Sequence, residues 1–534
     1  MQKMKKEQGI TLLALVITII ILLILAGITI SAITGDNGII GNAGQAKEET
    51  EIANEKEIVE KATVQAMGNN KYGNIEESEL QSELDKETKE GKTEVADVGD
   101  EFEVIFKESN RYYTVDKDGN VEGAYEIIED THPGDITVGK DGEALDGSEE
   151  KPYEIWCIED LCAFSNEVNG KKSFQGKIVK LMKSLNFESD LSYVNGNISV
   201  DGNIQSCQSI EELKKLLTEN EGFSPIGENS SLEGKMFSGI FDGNHKKIKN
   251  IYINKPDKTV GLFSNVMAQF DSIIIKDLEI SGNMIGGTVG GILGSALLSV
   301  NDNSETCIQI ENCVSNVIIE GNTVGGIVGS IASGSGKKGI IISNCINQGA
   351  IIGKENVGGI LGWHYNNGVK VINCYNIGNI SGNTNVGGIM GDSYQKANVI
   401  NTYNLGDIKS NENAGGIIGN LDWNAANIEN CYNIGKVSGK IAGGILGRLN
   451  TTNEILTTQN CYYLNADISK GIGGWDASKE SLEEIYGVTN TEMKSNDILE
   501  KLNNYVTENR TKEGIELKKW FLEKDGYPIF QKNI

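Results

Sequence analysis

Proline is scarce in this 534-residue chain, with 5 residues, and histidine is scarcer still, with 3. So few prolines against 65 glycines exclude a proline-rich linker as the main architecture and suit a chain that turns tightly and often. With only His132, His245 and His364, and no Cys-x-x-Cys pair, the sequence shows no recognisable zinc-ligand spacing. Basic side chains are outnumbered, 48 to 75, and the net charge of −27 excludes nucleic acid as a partner because its phosphates would be repelled. There is no His-Glu-x-x-His, no Gly-x-Ser-x-Gly and no Gly-x-x-x-x-Gly-Lys-(Ser/Thr). Neither metal nor cofactor is implied, and the chain reads as a non-enzyme.

What the chain does contain is one phrase written six times: Gly-Gly, two apolar residues, Gly. The copies are Gly290-Gly291 with Gly294, Gly325-Gly326 with Gly329, Gly358-Gly359 with Gly362, Gly387-Gly388 with Gly391, Gly415-Gly416 with Gly419, and Gly443-Gly444 with Gly447. They are spaced by 35, 33, 29, 28 and 28 residues. An Asn-Cys-aromatic-Asn phrase falls between them, as in Asn373-Cys374-Tyr375-Asn376 and Asn430-Cys431-Tyr432-Asn433. A third follows, as in Gly378-Asn379-Ile380-Ser381-Gly382. Three phrases in fixed order at a fixed period make a solenoid.

Each phrase holds four to six residues, rich in Ile and Val, alternating with polar residues and closed by Gly or Asn. That is the period of short strands, and the glycines recur too often for helices. The reading is mainly β, a right-handed parallel β-helix over residues 152–480, its coils stacked about 4.8 Å apart. Coils of 28 residues would number roughly eleven and rise about 50 Å. The paired glycines predict corners with positive φ or a very close neighbouring chain. Cys313, Cys345, Cys374, Cys431 and Cys461 share one repeat position, with Thr402 in the same register, and read as an interior stack of free thiols, with cross-links between neighbouring coils as the alternative.

The repeated Val-Gly-Gly-Ile-(Leu/Val/Met)-Gly resembles the GLUG motif, found in tandem on bacterial surface proteins. Phe237-Ser238-Gly239-Ile240-Phe241-Asp242-Gly243-Asn244-His245 is similar to the stretch that precedes such repeats, and Val260-Gly261-Leu262-Phe263-Ser264 reads as a degenerate first copy. The resemblance spans roughly Pro152 to Leu464. It implies an adhesin-like architecture and says little about activity.

Upstream, Gly9 to Gly35 carry no charge, and the run from Ile10 to Leu25 is long enough as a helix to cross a bilayer. Lys3, Lys5 and Lys6 would stay cytoplasmic and place everything after Asp36 outside. Lys5-Lys6-Glu7-Gln8-Gly9-Ile10-Thr11-Leu12-Leu13 resembles the start of type IV prepilins. The resemblance implies cleavage after Gly9 by a prepilin peptidase and N-methylation of Ile10. Ala14 stands where such pilins keep a glutamate that registers the subunit in a filament. The resulting domains are a leader over 1–9, a transmembrane helix over 10–35, a small α+β pilin-like region over 36–128, a linker over 129–151, the β-helix over 152–480 and a C-terminal cap over 481–534.

Within these, residues 45–67 read as a helix with Ile52, Val59, Ala62 and Ala66 on one face and Glu57 paired to Lys61. Residues 102–115 read as a hairpin, and Asp116 to Asn120 as a turn. Glu159 to Val168 form a capping helix, and further helices are expected over 209–220, 481–486 and 496–505.

For function, the leading reading is a membrane-anchored cell-surface protein whose Asn-rich, Tyr-lined solenoid contacts extracellular glycans or proteins. Trp363, His364 and Tyr365 form the most distinctive local cluster for stacking a sugar ring. One alternative is a minor pilin or pseudopilin of a type IV pilus or type II secretion-like system. A second is a polysaccharide-active enzyme, for which Asp392, Asp407 and Asp422 would be the candidate carboxylates.

Overall fold

The computed structural model describes residues 39–69, 75–89, 91–97, 101–109, 111–126, 134–140, 142–187, 197–200, 203–206, 221–228, 236–268, 271–298, 307–332, 339–365, 368–422, 426–450, 456–466, 468–475, 484–522 and 526–530. Gly9, Ile10, the apolar segment 10–35 and the helix expected over 209–220 lie outside these residues. Among the described residues, no helix is long and apolar enough to cross a membrane. The chain divides into two compact units, residues 1–129 and 130–534.

The first unit is a long helix, α1 (Ile39–Asn69), a second helix, α2 (Glu77–Thr88), and an antiparallel sheet in the order β1 (Thr93–Asp97), β2 (Glu101–Phe106), β3 (Arg111–Asp116), β4 (Val121–Glu126). Val59, Ala62 and Ala66 are fully buried with Val104, Tyr113 and Val115 of the sheet, the face that the heptad-like spacing indicates. Polar contacts fix the packing. Glu55 of α1 accepts from Arg111 at 3.0 Å and from the Tyr113 hydroxyl at 3.0 Å, and burial pushes the Tyr113 phenol up. Lys61 donates to Glu87 of α2 at 2.7 Å rather than to Glu57, because α2 lies closer than the next helical turn. Asp116 closes its turn by accepting from Asn120, both backbone (2.7 Å) and side chain (2.6 Å), which accounts for its acid without a cation.

The second unit is mainly β, a parallel solenoid of about eight coils. One of its sheets has eight strands, one per coil, from Phe263–Ala268 to Ile472–Gly474. Like residues pair rung upon rung: Leu361, Met390, Ile418 and Leu446 in that sheet, and Tyr375, Tyr403, Tyr432, Tyr462 and Tyr486 in another. Phe263 pairs with Leu293, so the degenerate first copy is a true rung. Eight coils fall short of eleven because the early repeats are longer than 28 residues and the eight-stranded sheet begins only at Phe263. The rise is then roughly 35–40 Å.

Ile and Val ladders such as Ile292, Ile327, Ile360, Ile389, Ile417 and Ile445 are wholly buried. The cysteine ladder is buried beside them as free thiols, and burial pushes the Cys345 and Cys374 thiols up. A second ladder, Asn347, Asn376, Asn404 and Asn433, is equally dry. Each amide donates to the carbonyl two residues on, and the first three also reach the next asparagine at 2.7 Å. These bonds are what let an amide stack sit inside an apolar core; at the end of the ladder the Asn347 side-chain oxygen is left without a partner.

The glycine corners owe their composition to close approach, not to positive φ. A Cβ at Gly387 would lie 1.9 Å from the Met390 carbonyl oxygen, one at Gly388 2.2 Å from the Gly416 oxygen, and one at Gly391 2.4 Å from the Val357 nitrogen. The left-handed residues of the repeats are asparagines: Asn312, Asn344, Asn373, Asn401, Asn430 and Asn460, with φ of 53–55°.

At the N-terminal end, helix α3 (Ile158–Asn169) covers the first coils with Leu161, Phe164 and Val168 buried. Phe164 lies against Phe174, Phe237, Phe241 and Phe263 at 5.0–6.4 Å. Residues 134–151, read in sequence as part of a linker, pack on this cap: Ile136 is buried, and Asp160 accepts from the backbone of Gly134, Trp156 and Cys157.

The C-terminal cap region is expected over 481–534, and its described residues after Val488 pack on the stack. It lies along the side, over the tyrosine ladder and the left-handed asparagines. Of the stretch expected to be helical at 481–486, Ile485 and Tyr486 enter the last rung instead, where Ile485–Val488 pair with Cys461–Leu464 and Tyr486 completes the tyrosine column. Helices α4 (Asn490–Met493) and α5 (Asn496–Asn509) and the hairpin of Trp520–Leu522 with Pro528–Phe530 follow.

Candidate functional site

The tyrosine ladder is covered by the C-terminal segment, and a second group of aromatic side chains stands on the eight-stranded sheet. The fifth residue after the first glycine of each corner points outward, giving the column Ser330, Trp363, Asp392, Asn420, Arg448. The seventh forms a parallel column that includes Tyr365, Tyr394, Asp422 and Asn450. The residue between them points inward, which is the ordinary alternation of a strand.

This alternation separates the expected cluster. Trp363 and Tyr365 stand together outside, 6.0 Å apart and inclined by 24°, and Tyr365 is 43% exposed. His364 between them is fully buried, its Nδ1 3.1 Å from the Ser393 hydroxyl. In this structure its ring belongs to the buried interior of the coil. Tyr394, which the sequence reading did not single out, extends the aromatic surface to the next coil at 5.0 Å from Tyr365.

Beside the aromatics the surface is polar and re-entrant. Asn385 precedes a Gly-Gly corner and Asp392 follows it, yet Asn385 donates to Asp392 at 3.2 Å across the outside of the corner. Two outward side chains meet in this way only where the corner is concave. Asn413 donates to Asn385 and Asn385 to Asn356, at 2.8 and 2.9 Å, carrying the floor along the axis. Asn420 donates to Asp392 at 2.9 Å and Asn450 to Asp422 at 2.8 Å. Burial, reinforced by the Asp422 charge and opposed by the Asn420 hydrogen bond, raises the Asp392 carboxyl to about 6. Asp407 lies elsewhere, in an exposed turn, where its carboxylate accepts from the Lys436 backbone at 2.9 Å. The three candidate carboxylates therefore do not converge, although Asp392 and Asp422 share a face. Among the described residues no group of three His, Cys, Asp or Glu side chains is placed to hold a metal ion.

The chain matches no protein-family model and no curated protein. Among solved structures it is similar to a crystal structure from Bacteroides ovatus described as a candidate immunoglobulin A1 protease, at 18% identity and a TM-score of 0.44. That likeness covers 75% of this chain and 99% of the other. It assigns no role to any residue here.

Proposed function

We propose that this is an adhesin-like cell-surface protein, held in the membrane by segment 10–35 and displaying its solenoid outside the cell as a binding surface for glycans or proteins. The observation that carries the reading is an aromatic cluster of exposed Tyr365 with half-buried Trp363 and Tyr394, beside a polar, concave floor. Aromatic rings left in water on a rigid sheet are costly to display and serve contact with a partner. The GLUG-like repeats and the prepilin-like start at Gly9-Ile10 favour export, and the coil is read as right-handed, the hand that twisted parallel strands adopt. Asp392 and Asp422 are engaged by asparagine amides, which favours binding over catalysis. The test is adhesion of whole cells carrying the full chain or its W363A/Y394A form; equal adhesion of the two would refute the reading.

A second reading, a minor pilin or pseudopilin, draws on the first unit, where an antiparallel sheet packs on the long helix α1 through Val59, Ala62 and Ala66. Ala14 argues against a major subunit. Co-purification with a pilus or secretion filament would favour it.

A further inference from the structure

Resting on the reading of this face as a binding surface, we infer that its ligand is a neutral polysaccharide whose chain runs along the solenoid axis over Trp363, Tyr365 and Tyr394. Direction comes first. Trp363 and Tyr365 sit on one rung and Tyr394 on the next, so the aromatic surface extends across the strands, along the stacking direction. The concave floor of Asn356, Asn385 and Asn413 runs the same way, with one amide per coil about every 4.8 Å.

The chemistry of the surface then selects among polymers. An extended peptide docks on a sheet by pairing with unpaired backbone at its edge. Here the two strands beside the aromatics are already paired on both sides, Leu361–His364 with Val328–Ala332 and Met390–Ser393, and the latter also with Ile418–Asp422. There the face offers a peptide no free ladder of backbone donors and acceptors. A pyranose needs none. Its C–H face packs on an aromatic ring, while its hydroxyls turn to polar groups at the ring's edge. The Trp363 and Tyr365 ring planes are inclined by 24°, Asp422 lies two rungs from them, and Arg448 and Asn450 lie three.

Charge makes the final selection. A uronate or sialate chain would meet a protein of net charge −27, and on this face two carboxylates, Asp392 and Asp422, stand against the Arg448 guanidinium. A neutral chain pays no such repulsion and can donate its hydroxyls to the half-buried Asp422 carboxylate.

The experiment is calorimetric titration of the full-length protein, in detergent micelles, with three hexasaccharides: a β-linked glucan, a mannan and a galacturonan. Wild type, W363A and Y394A are compared, with unchanged melting temperature as the check that the surface variants fold. Binding of a neutral hexamer, weakened at least tenfold in both variants, is the expected result. Binding of the galacturonan instead, lost in the same variants, overturns the neutral-chain inference and leaves the surface-binding reading standing. If no hexamer binds while cell adhesion is still lost in W363A/Y394A, the ligand is a protein and the inference again falls. If adhesion is also unchanged in that variant, both readings fall.

Discussion

Trp520 donates its indole N–H to the side-chain oxygen of Asn401 at 2.8 Å, joining residues 119 positions apart. Asn401 is one of the left-handed asparagines, and its amide donates both to Asn373 at 2.7 Å and to the Lys518 carbonyl at 3.0 Å. Asn373, Asn430 and Asn460 likewise donate to carbonyls of the C-terminal segment, at Glu516, Leu502 and Lys501. The corner asparagines thus serve both the coil and the segment lying over it. Trp520 is buried at 5.5 and 5.6 Å from Tyr403 and Tyr432, and the Tyr432 hydroxyl donates to the Pro528 carbonyl.

Removing that anchor should loosen the side cover before the stack. Trp520→Ala is expected to cost about 3–5 kcal/mol, and Trp520→Phe, which keeps most of the ring and drops the hydrogen bond, about 1–2 kcal/mol. Limited proteolysis should cut Trp520→Ala within residues 490–530 while the solenoid stays resistant. Simultaneous loss of both would contradict this order.

Crowding at the glycine corners is equally testable. Gly387→Ala places a Cβ against the Met390 carbonyl, backbone that cannot move without its rung, and is expected to cost about 3 kcal/mol or more. Gly68→Ala, near the end of α1 with nothing within 4 Å, should change stability by at most about 1 kcal/mol. Chemical denaturation of the two variants gives the comparison; equal effects would show that close approach does not select glycine here.

A pH signature follows from Asp392. Its folded carboxyl, near 6, lies above the unfolded value of about 3.9, so the fold holds the proton more tightly. Its contribution to stability is therefore complete below about pH 4 and declines as pH rises to about 6. Asp392→Asn keeps an oxygen for the Asn420 amide and removes the buried charge. It should stabilise the protein at pH 7.5 by on the order of 1–3 kcal/mol and change little at pH 4. Thermal melts at the two pH values decide it, and an equal shift at both would rule out the buried charge.

The thiols offer a direct test of the interior. Cys313, Cys345, Cys374, Cys431 and Cys461 are fully buried, whereas Cys157 is half-buried. At pH 8 the five should resist a thiol reagent in the native protein and react completely in denaturant. Rapid native reaction of more than one of them would place the ladder outside the core.

Much of this architecture was legible in the sequence, because a solenoid writes its coil repeatedly. The spacing of Gly358, Gly387, Gly415 and Gly443 gave the rungs, and Leu161, Phe164 and Val168 gave the capping helix. The binding face was half legible. Trp363 and Tyr365 stand out as aromatics, but strand alternation turns His364 inward, and local sequence cannot show that. Tyr394 was recoverable by counting seven residues from Gly387, as Tyr365 is seven from Gly358. The side cover was not legible. Tyr403 and Tyr432 alternate like any outward residues, and only the tertiary course of Trp520 and Phe530 buries them.

The claim on which the account rests is display from a membrane anchor, and the mature N-terminus tests it most directly. Mass spectrometry of the protein isolated from its own membrane should find N-methylated Ile10, with segment 10–35 retained. A mature terminus beyond residue 35, on protein released from the membrane, would contradict the account.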